Sequence, residues 1–243
     1  MKDKKKFKAI AWAFGYFAIV VSMLISACII FHNNYYTSMY VEGTSMTPTL
    51  NKDGKTEFGI IDSITKSKNF IKRFDIVTTY YPVQYNGSSD YCFLDEFGNE
   101  VKTTYKDPNH NVQLSSKADY KIKRVIALPG EQFTVTSNGV NVREKDGDTW
   151  GEWVTYSFDF NIKNTSNNKI NSTPITLEED EYWVIGDNWD NSIDSPAINH
   201  AIYKGNIHGV LIAIEGTCKT SLVNGKVKVS NKKYYLNARY YKR

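Results

Sequence analysis

The feature that most constrains this chain is an uncharged stretch close to its N-terminus. Residues 9–31 contain no Asp, Glu, Lys or Arg, and all of them are apolar, aromatic or small. A helix of this length crosses the hydrocarbon core of a bilayer, which is about 30 Å thick. The sequence therefore predicts a basic tail at residues 1–8, one membrane-spanning helix at 9–31 and a folded body at 32–243.

The charges that flank this stretch predict its orientation. Five lysines lie before it, and no comparable cluster follows it. Because basic residues are retained on the cytoplasmic side of a membrane, we expect a cytoplasmic N-terminus and a body on the outer face of the cell membrane. The lipid bilayer is thus an expected partner of the chain.

Two other interpretations of the stretch stay open. A cleavable signal peptide has a shorter apolar core and a small-x-small exit, whereas this apolar run continues through residues 29–31. Residues 25–28 are similar to the lipobox of bacterial lipoproteins, in which Cys28 would be lipidated. Such a cysteine usually precedes a polar linker, and here more hydrophobic sequence follows it.

The net charge argues against a nucleic-acid partner. The formal charge of the whole chain is +4, and the lysines of residues 1–8, set against Asp3, account for it. The body is therefore neutral overall, which removes the main reason to expect nucleic-acid binding, since such binding needs a basic stripe on the folded body. We predict no nucleic-acid partner. Its length suits one domain, since domains usually have about 100 to 200 residues.

Short apolar runs separated by turn signals predict a mostly β body. No long stretch of helical periodicity follows residue 31. Asn138-Gly139 predicts a tight hairpin, because both residues tolerate the positive φ of a two-residue turn. The predicted strands are 75–81, 120–128, 131–136, 140–143, 181–185 and 209–214.

Two polar segments, 84–119 and 161–173, are predicted to be surface insertions. The body contains Cys92 and Cys218, too few for a disulfide framework, and a single bridge between them stays open. The four histidines are scattered without the spacing of a metal site. We therefore predict neither a metal nor another cofactor.

A serine and a lysine of the body indicate a hydrolytic site. Ser45 follows the predicted span by a few residues, and Lys123 lies in the apolar run 122–130. A protonated amine cannot act as a base, but a strand that buries Lys123 among aliphatic residues lowers its pKa. The neutral amine can then take the proton of Ser45, which lacks a histidine partner. We expect hydrolysis at the outer face of the membrane.

Four sequence blocks resemble those of bacterial type I signal peptidases, the serine-lysine proteases of peptidase family S26. Their order behind a lysine-flanked span makes the resemblance specific. The blocks are GTSMTPTL at 43–50, RFDIV at 73–77, IKRVIALPGE at 122–131 and GDNWDNSIDSP at 186–196. The resemblance implies a mostly β fold, with a signal-peptidase-like β-sheet body that carries insertions.

The resemblance also implies an activity. Ser45 is the implied nucleophile, which forms an acyl-enzyme, and Lys123 is the implied general base. The implied substrates are preproteins that bear signal peptides and are cleaved after small residues at positions −3 and −1. The secretion translocon is a further expected partner.

Several residues receive supporting roles from the same resemblance. Ser192 is expected to hydrogen-bond the Lys123 amine, and Asp194 to order the loop around it. Arg124 is expected on the opposite face of the strand, in an ion pair with an acid of the last block. The residues expected at the oxyanion hole and the substrate groove are Gly43, Thr44, Met46 and Pro48.

Within that last set, two expectations are more specific. The amide of the nucleophile itself helps to form the oxyanion hole in the family. Some relatives add a hydroxyl at the position of Gly43, so either Thr44 or a water replaces it here, or the hole has fewer donors. Met46 is expected to line the apolar floor on which small substrate side chains sit.

The chain departs from the family pattern in the last block. Trp189 and Pro196 stand where arginine is usual, and the arginine at position 196 commonly pairs with the aspartate equivalent to Asp194. That carboxylate is therefore expected to find Arg124, a backbone N–H or solvent. The long insertion 84–119 is also unusual and predicts a narrowed or redirected groove.

Other functions stay open at this point. A specialised relative would serve a narrow set of substrates, such as pilin precursors, or would bind precursors with little cleavage. The presence of both Ser45 and Lys123 argues against a pure binding protein. A self-cleaving serine-lysine repressor would need a DNA-binding motif and a cytoplasmic body, and a lipoprotein binding module would explain none of the four blocks.

Overall fold

The chain forms a long N-terminal helix and a mostly β body. The computed structural model describes residues 2–63, 70–81, 91–94, 100–103, 113–114, 119–165, 167–223 and 226–241. The chain divides into two compact units, Met1–Thr37 and Ser38–Arg243.

Helix α1 spans Lys2–Tyr35. Its segment Trp12–Ile30 has a mean hydropathy of 2.3, and none of this segment is buried by protein. A helix that is apolar on every side and buries no face against protein suits a lipid environment. Among the described residues, α1 is the helix that is long and apolar enough to cross a membrane, which fits membrane association.

The body is built on a sheet of eight strands. These strands are β1 (Tyr36–Val41), β2 (Thr56–Asp62), β3 (Ile76–Tyr81), β7 (Asp119–Ala127), β14 (Glu181–Ile185), β15 (Ile202–Tyr203), β16 (Ile207–Val223) and β17 (Lys226–Tyr240). Their order is β1, β2, β16, β3, β7, β14 and β15, and β17 pairs with β16. Strand β7 is therefore central, with antiparallel β3 and β14 on its two sides.

The described part of the chain also contains three smaller sheets. One has the order β12, β9, β8 and β13, and consists of β8 (Gln132–Val135), β9 (Gly139–Arg143), β12 (Val154–Ser157) and β13 (Asn171–Thr176). The others contain β10 (Lys145–Asp146) with β11 (Thr149–Trp150), and β4 (Tyr91–Leu94) with β5 (Glu100–Thr103) and β6 (Gln113–Leu114). Within the described ranges, the short helices are α2 (Ser195–Ile198) and two 3₁₀ turns, Trp189–Asn191 and Lys204–Asn206.

Two core clusters determine where the functional blocks lie. One joins β7 and β14 to the sheet of β8 and β9, through side chains such as Ile126, Phe133 and Trp183. Another packs Met46 against Ile122 of β7. Burying a side chain of this size stabilises a fold by about 1.5–3 kcal/mol, so these contacts hold the segment after β1 against the central strand.

The predicted strands agree with the structure where apolar runs are strong. The run 181–185 coincides with β14, and the runs 75–81, 120–128, 131–136 and 140–143 contain or overlap β3, β7, β8 and β9. The predicted hairpin between β8 and β9 is confirmed, with Val135 opposite Val140. Its turn lies one residue earlier than predicted, because the amide of Thr136 donates to the carbonyl oxygen of Gly139. The expected positive φ at Asn138 and Gly139 is wrong, since neither residue has one. The mostly β fold behind one apolar helix is thus confirmed.

Other strands were not predicted, or were predicted to be shorter than they are. The run 209–214 is only part of β16, which continues to Val223 and pairs with β17. Strand β2 was not predicted. Strand β17 was not predicted either, because it is rich in Lys and Asn and its apolar residues are interrupted. The 84–119 segment includes the three-stranded sheet of β4, β5 and β6, although most of that segment lies outside the described residues.

The segment 161–173 is more than a surface insertion, which corrects the prediction. Its end, from Asn171, begins β13, which pairs with β8. Lys169 within it is 5% exposed.

Cys218 is buried and has a free thiol, so the bridge left open between Cys92 and Cys218 is not formed.

Asn51 connects the chain just before Ser45 to strand β2. Nδ2 of Asn51 donates to the carbonyl oxygens of Val41 at 2.7 Å and Gly43 at 2.9 Å. Oδ1 of Asn51 accepts from the amide of Glu57 at 2.9 Å. The residue has a φ of 57°, a conformation that asparagine tolerates better than most residues. One buried side chain thus closes the loop that carries Ser45.

Replacing Asn51 by alanine should destabilise the body strongly. The Asn51→Ala variant leaves three backbone groups without a partner and places alanine at a positive φ, so we expect a loss of about 2–4 kcal/mol. Urea unfolding of the purified protein would measure it. Asn138→Ala, at an exposed hairpin position, is the matched control, and a loss no larger than that of this control would contradict the assigned role.

Candidate active site

Ser45 lies in a tight turn between β1 and β2. The amide of Thr47 donates to the carbonyl oxygen of Thr44 at 3.1 Å, and the amide of Leu50 donates to the carbonyl oxygen of Met46 at 2.9 Å. Met46 and Leu50 are buried in the core and anchor the turn from below. The turn leaves Ser45 half-buried.

Lys123 reaches the same place from the middle of β7. Its side chain is among the largest that are fully buried, and the residue is 1% exposed. Nζ of Lys123 lies 2.9 Å from Oγ of Ser45, and it donates to the carbonyl oxygen of Ile122 at 2.9 Å. The fold therefore brings together a serine and a lysine that are 78 positions apart in the sequence.

Burial is the main influence on the protonation of Lys123. It lowers the pKa of this amine from 10.5 to about 8, because the charged form loses its hydration. The carboxylates of Asp194 and Asp187 act in the opposite direction, while the charges of Lys121 and Lys169 lower the pKa further. An amine with this pKa is partly neutral near physiological pH, as a general base must be.

Residues 186–188 hold the serine turn in place. The amide of Asn188 donates to the carbonyl oxygen of Ser45 at 2.9 Å. Nδ2 of Asn188 donates to the carbonyl oxygen of Thr44 and to Oγ1 of Thr47, each at 3.0 Å. Gly186 approaches the turn so closely that a Cβ there would lie 2.5 Å from the carbonyl oxygen of Ser45. Only glycine fits this position without a shift of the backbone.

Arg124 forms the ion pair expected from its place on the strand. Its Nε and Nη2 donate to the two carboxylate oxygens of Asp187 at 2.8 and 2.7 Å, and both side chains are buried. Nη1 of Arg124 donates to the carbonyl oxygen of Phe74 at 2.8 Å, and the Thr49 hydroxyl donates to Asp187. The predicted pairing of Arg124 with an acid of the last block is confirmed.

Ser192 does not hydrogen-bond Lys123, which corrects the expectation from the sequence. Its hydroxyl is buried and has no hydrogen-bond partner among the described residues. It lies against Gly186, where a Cβ would be 2.2 Å from Oγ of Ser192. Nζ of Lys123 is meanwhile engaged with Ser45 and with the carbonyl oxygen of Ile122.

Asp194 is fully buried, and its partner is a lysine of the 161–173 segment. Oδ1 of Asp194 accepts from Nζ of Lys169 at 2.7 Å, and Oδ2 accepts from the amide of Gly186 at 3.0 Å. Lys169 also donates to the carbonyl oxygen of Ser192 at 3.0 Å. Three alternative partners were expected for Asp194, and the backbone N–H is the one that is confirmed. The expected contacts with Arg124 and with solvent are wrong, because Arg124 is bonded to Asp187 and the Asp194 carboxylate is buried.

The residues predicted for the oxyanion hole and the groove lie on the serine turn with different exposures. Gly43 and Thr44 are exposed, and Pro48 is half-buried. Oγ1 of Thr44 lies 2.6 Å from Nδ2 of Asn191, which donates to it. Met46 is 1% exposed and packs in the core, so the expectation that it lines the floor of an open groove is wrong.

The two positions at which the family usually has arginine differ in their surroundings. Trp189 is 2% exposed and packs edge-on against Phe158 in the core between the eight-stranded and the four-stranded sheet. Pro196 lies in the first turn of α2, where a missing N–H carries no cost. Neither residue supplies a positive charge to the site.

Fold and site together define a mostly β protein, preceded by one apolar helix, in which a buried lysine lies within hydrogen-bonding distance of a serine. The family model for signal peptidases of peptidase family S26 matches residues 10–237 of the chain. The chain therefore belongs to this signal peptidase family, whose activity is of the serine peptidase kind. No curated protein matches it.

Replacing Lys123 by methionine should stabilise the protein near neutral pH. Because the folded state lowers the pKa of Lys123 to about 8, the unfolded chain binds more protons between roughly pH 8 and 10.5, and stability rises with pH across that window. Below it, the full cost of burying the amine remains. We expect Lys123→Met to add about 1–3 kcal/mol at pH 7.

Urea unfolding at a series of pH values would measure this gain, which should shrink as the pH rises toward 10. The matched control is Lys145→Met, which removes an exposed lysine. A Lys123→Met variant that is less stable than its parent at pH 7 would contradict a lowered pKa for the amine.

Proposed function

We propose that this chain is a type I signal peptidase, a membrane-bound serine endopeptidase that removes signal peptides from exported preproteins. Membership of the signal peptidase family supports the substrate class. The observation that carries the proposed chemistry is the distance of 2.9 Å between Nζ of Lys123 and Oγ of Ser45. Such contact between a nucleophile and a desolvated amine is what general-base activation requires.

In the proposed reaction, neutral Lys123 accepts the hydroxyl proton of Ser45 as Oγ bonds to the scissile carbonyl carbon. The resulting ammonium group then donates this proton to the leaving amine as the peptide bond breaks, which leaves an ester on Ser45. Lys123 next accepts a proton from the attacking water and returns it to Oγ of Ser45 as the ester bond breaks. This step restores the free serine and the neutral amine, and the new carboxyl group of the signal peptide ionises in water.

The developing oxyanion needs donors that are already in place. We assign this role to the amide of Ser45, which donates to no acceptor among the described residues. The bond from Asn188 to the Ser45 carbonyl holds that peptide unit in a fixed orientation. The exposed Gly43 and Thr44 and the half-buried Pro48 border the serine and are the proposed walls of the groove. In other serine proteases one such donor is worth about 3–4 kcal/mol.

The proposed arrangement in the membrane follows from the charges around α1. Residues 1–8 would form a cytoplasmic tail, 9–31 the membrane span and 32–243 the extracytoplasmic catalytic domain, since basic residues favour the cytoplasmic side. A catalytic domain tethered at the outer face of the bilayer would meet preproteins as they leave the translocon. Preproteins cleaved after small residues at −3 and −1 are the proposed substrates.

Single substitutions in the serine-lysine pair should abolish cleavage of a preprotein with an Ala-x-Ala signal peptide. Ser45→Ala removes the nucleophile and should reduce cleavage to background, and Lys123→Met should lower the rate by about 100- to 10,000-fold. Cleavage in detergent by the full chain would be followed by mass spectrometry. The controls are Ser137→Ala and Lys145→Met, at exposed positions. Full activity in either active-site variant would rule out the mechanism.

The pH dependence of cleavage provides a separate test. Only the neutral form of Lys123 is a base, so the single-turnover rate should rise with pH through a midpoint near 8 and level off above it. Two pH units below the midpoint the rate should be about 100-fold lower than on the plateau. A profile that is flat between pH 6 and 9 would contradict general-base catalysis by this amine.

A second candidate is a specialised relative with a narrow range of substrates. The unusual Trp189 and Pro196 and the additional strands β4, β5 and β6 favour it. A panel of signal peptides that differ at −3 and −1 separates the two candidates. Cleavage of most members supports the general peptidase, and cleavage of one class supports the specialised one.

A further inference from the structure

Lys169 is a buried cation that the proposed mechanism does not use. It is 5% exposed, and its Nζ lies 2.7 Å from Oδ1 of Asp194 and 3.0 Å from the carbonyl oxygen of Ser192. The second oxygen of Asp194 accepts from the amide of Gly186. Lys169 therefore joins the 161–173 segment to two residues of the last block, in a place from which water is excluded.

The ion pair answers a need that the last block cannot meet alone. A carboxylate as deeply buried as Asp194, which is 0% exposed, is strongly unfavourable unless a cation lies beside it. The last block contains no lysine or arginine. Arg124 of the lysine block does not pair with Asp194, because its guanidinium group is bonded to both carboxylate oxygens of Asp187. The counter-charge for Asp194 therefore comes from a different part of the chain.

The same pairing bears on the amine of Lys123. Two carboxylates, Asp194 and Asp187, favour its charged form, and two lysines, Lys121 and Lys169, oppose that effect. Each carboxylate has a cation bound directly to it: Arg124 on Asp187, and Lys169 on Asp194. With both pairs intact, burial is the dominant influence on Lys123.

We propose that Lys169 is a positioning residue of the peptidase site, which holds residues 192–194 in place and supplies the counter-charge of the buried Asp194 carboxylate. This inference rests on the proposed function of Ser45 and Lys123 as nucleophile and base. In this chain, where Pro196 stands at the position of the usual arginine, Lys169 of the 161–173 segment pairs with Asp194 in place of that arginine.

The decisive experiment compares pH–rate profiles of the full chain for four variants. Lys169→Met leaves Asp194 uncompensated, so the midpoint should rise by about one pH unit, and the rate at pH 7 should fall by about tenfold and recover at high pH. Lys169→Arg keeps the charge and should keep the midpoint. Asp194→Asn should lower the midpoint, and the double variant with Lys169→Met should return it toward the parent value.

Lys163→Met is the matched control, because it removes an exposed lysine of the same segment. A rate that falls equally at every pH in Lys169→Met, with no shift of the midpoint, would show a merely structural role and overturn the proposal. Circular dichroism establishes whether each variant folds. If Lys169→Met does not fold, the double variant is compared with Asp194→Asn alone, since neither has an unpaired buried carboxylate at position 194. A higher midpoint in the double variant supports the effect of the Lys169 charge on Lys123, and equal midpoints overturn it.

A second readout separates this inference from the proposed function. The protonation of the Lys123 amine can be followed by NMR in lysine-labelled protein, with Lys123→Met used to assign its signal, and this needs no cleavage. If the parent cleaves no precursor, the proposed function fails, while a titration that moves upward in Lys169→Met still supports the electrostatic role. An unchanged titration overturns that role whether or not the enzyme is active.

Discussion

The candidate site depends first on the ion pair between Arg124 and Asp187. Both groups are buried, and the guanidinium bonds both carboxylate oxygens, a geometry that fixes orientation as well as distance. Asp187 is also bonded by the Thr49 hydroxyl, and the next residue, Asn188, donates to the carbonyl oxygen of Ser45. One pair therefore ties strand β7, the last block and the serine turn together, and breaking it would leave a buried charge unpaired.

Around Lys123 the charges are arranged so that the amine can lose its proton. A lysine with 1% exposure has a pKa of about 8, whereas in water the value is 10.5, because the fold gives the ammonium form little solvation. The nearby carboxylates of Asp194 and Asp187 act against that effect of burial. Each of them is bonded to its own cation, Asp187 to Arg124 and Asp194 to Lys169. Burying this amine lowers the stability of the fold but favours its neutral form, which fits the proposed role as a general base.

Local patterns in the sequence were enough to predict part of this structure. The uncharged run at 9–31 predicted α1, and the dense apolar run that ends in Ile185 predicted β14 without error, since such runs have few alternatives. Strand β17 was missed because its stability comes from pairing with β16, a contact that no local pattern records. The pairing of Lys169 with Asp194 was missed for the same reason: the two residues are distant in sequence, and neither has a neighbourhood that indicates its partner.

Lys169, rather than the arginine that is usual at position 196, is the cation bonded to Asp194, and this difference changes how the last block is held in place. Arginine bonds a carboxylate through a rigid fork, whereas a lysine amine is a point charge that can serve several acceptors. Lys169 uses this freedom to bond Asp194 and the carbonyl oxygen of Ser192 together. The same segment continues into β13, which is paired with β8 of the four-stranded sheet. The backbone of Lys163, earlier in this segment, also bonds Asp187 and Trp189. Because the segment carries both the buried cation and these backbone bonds, the geometry of the last block is coupled to the packing of the four-stranded sheet.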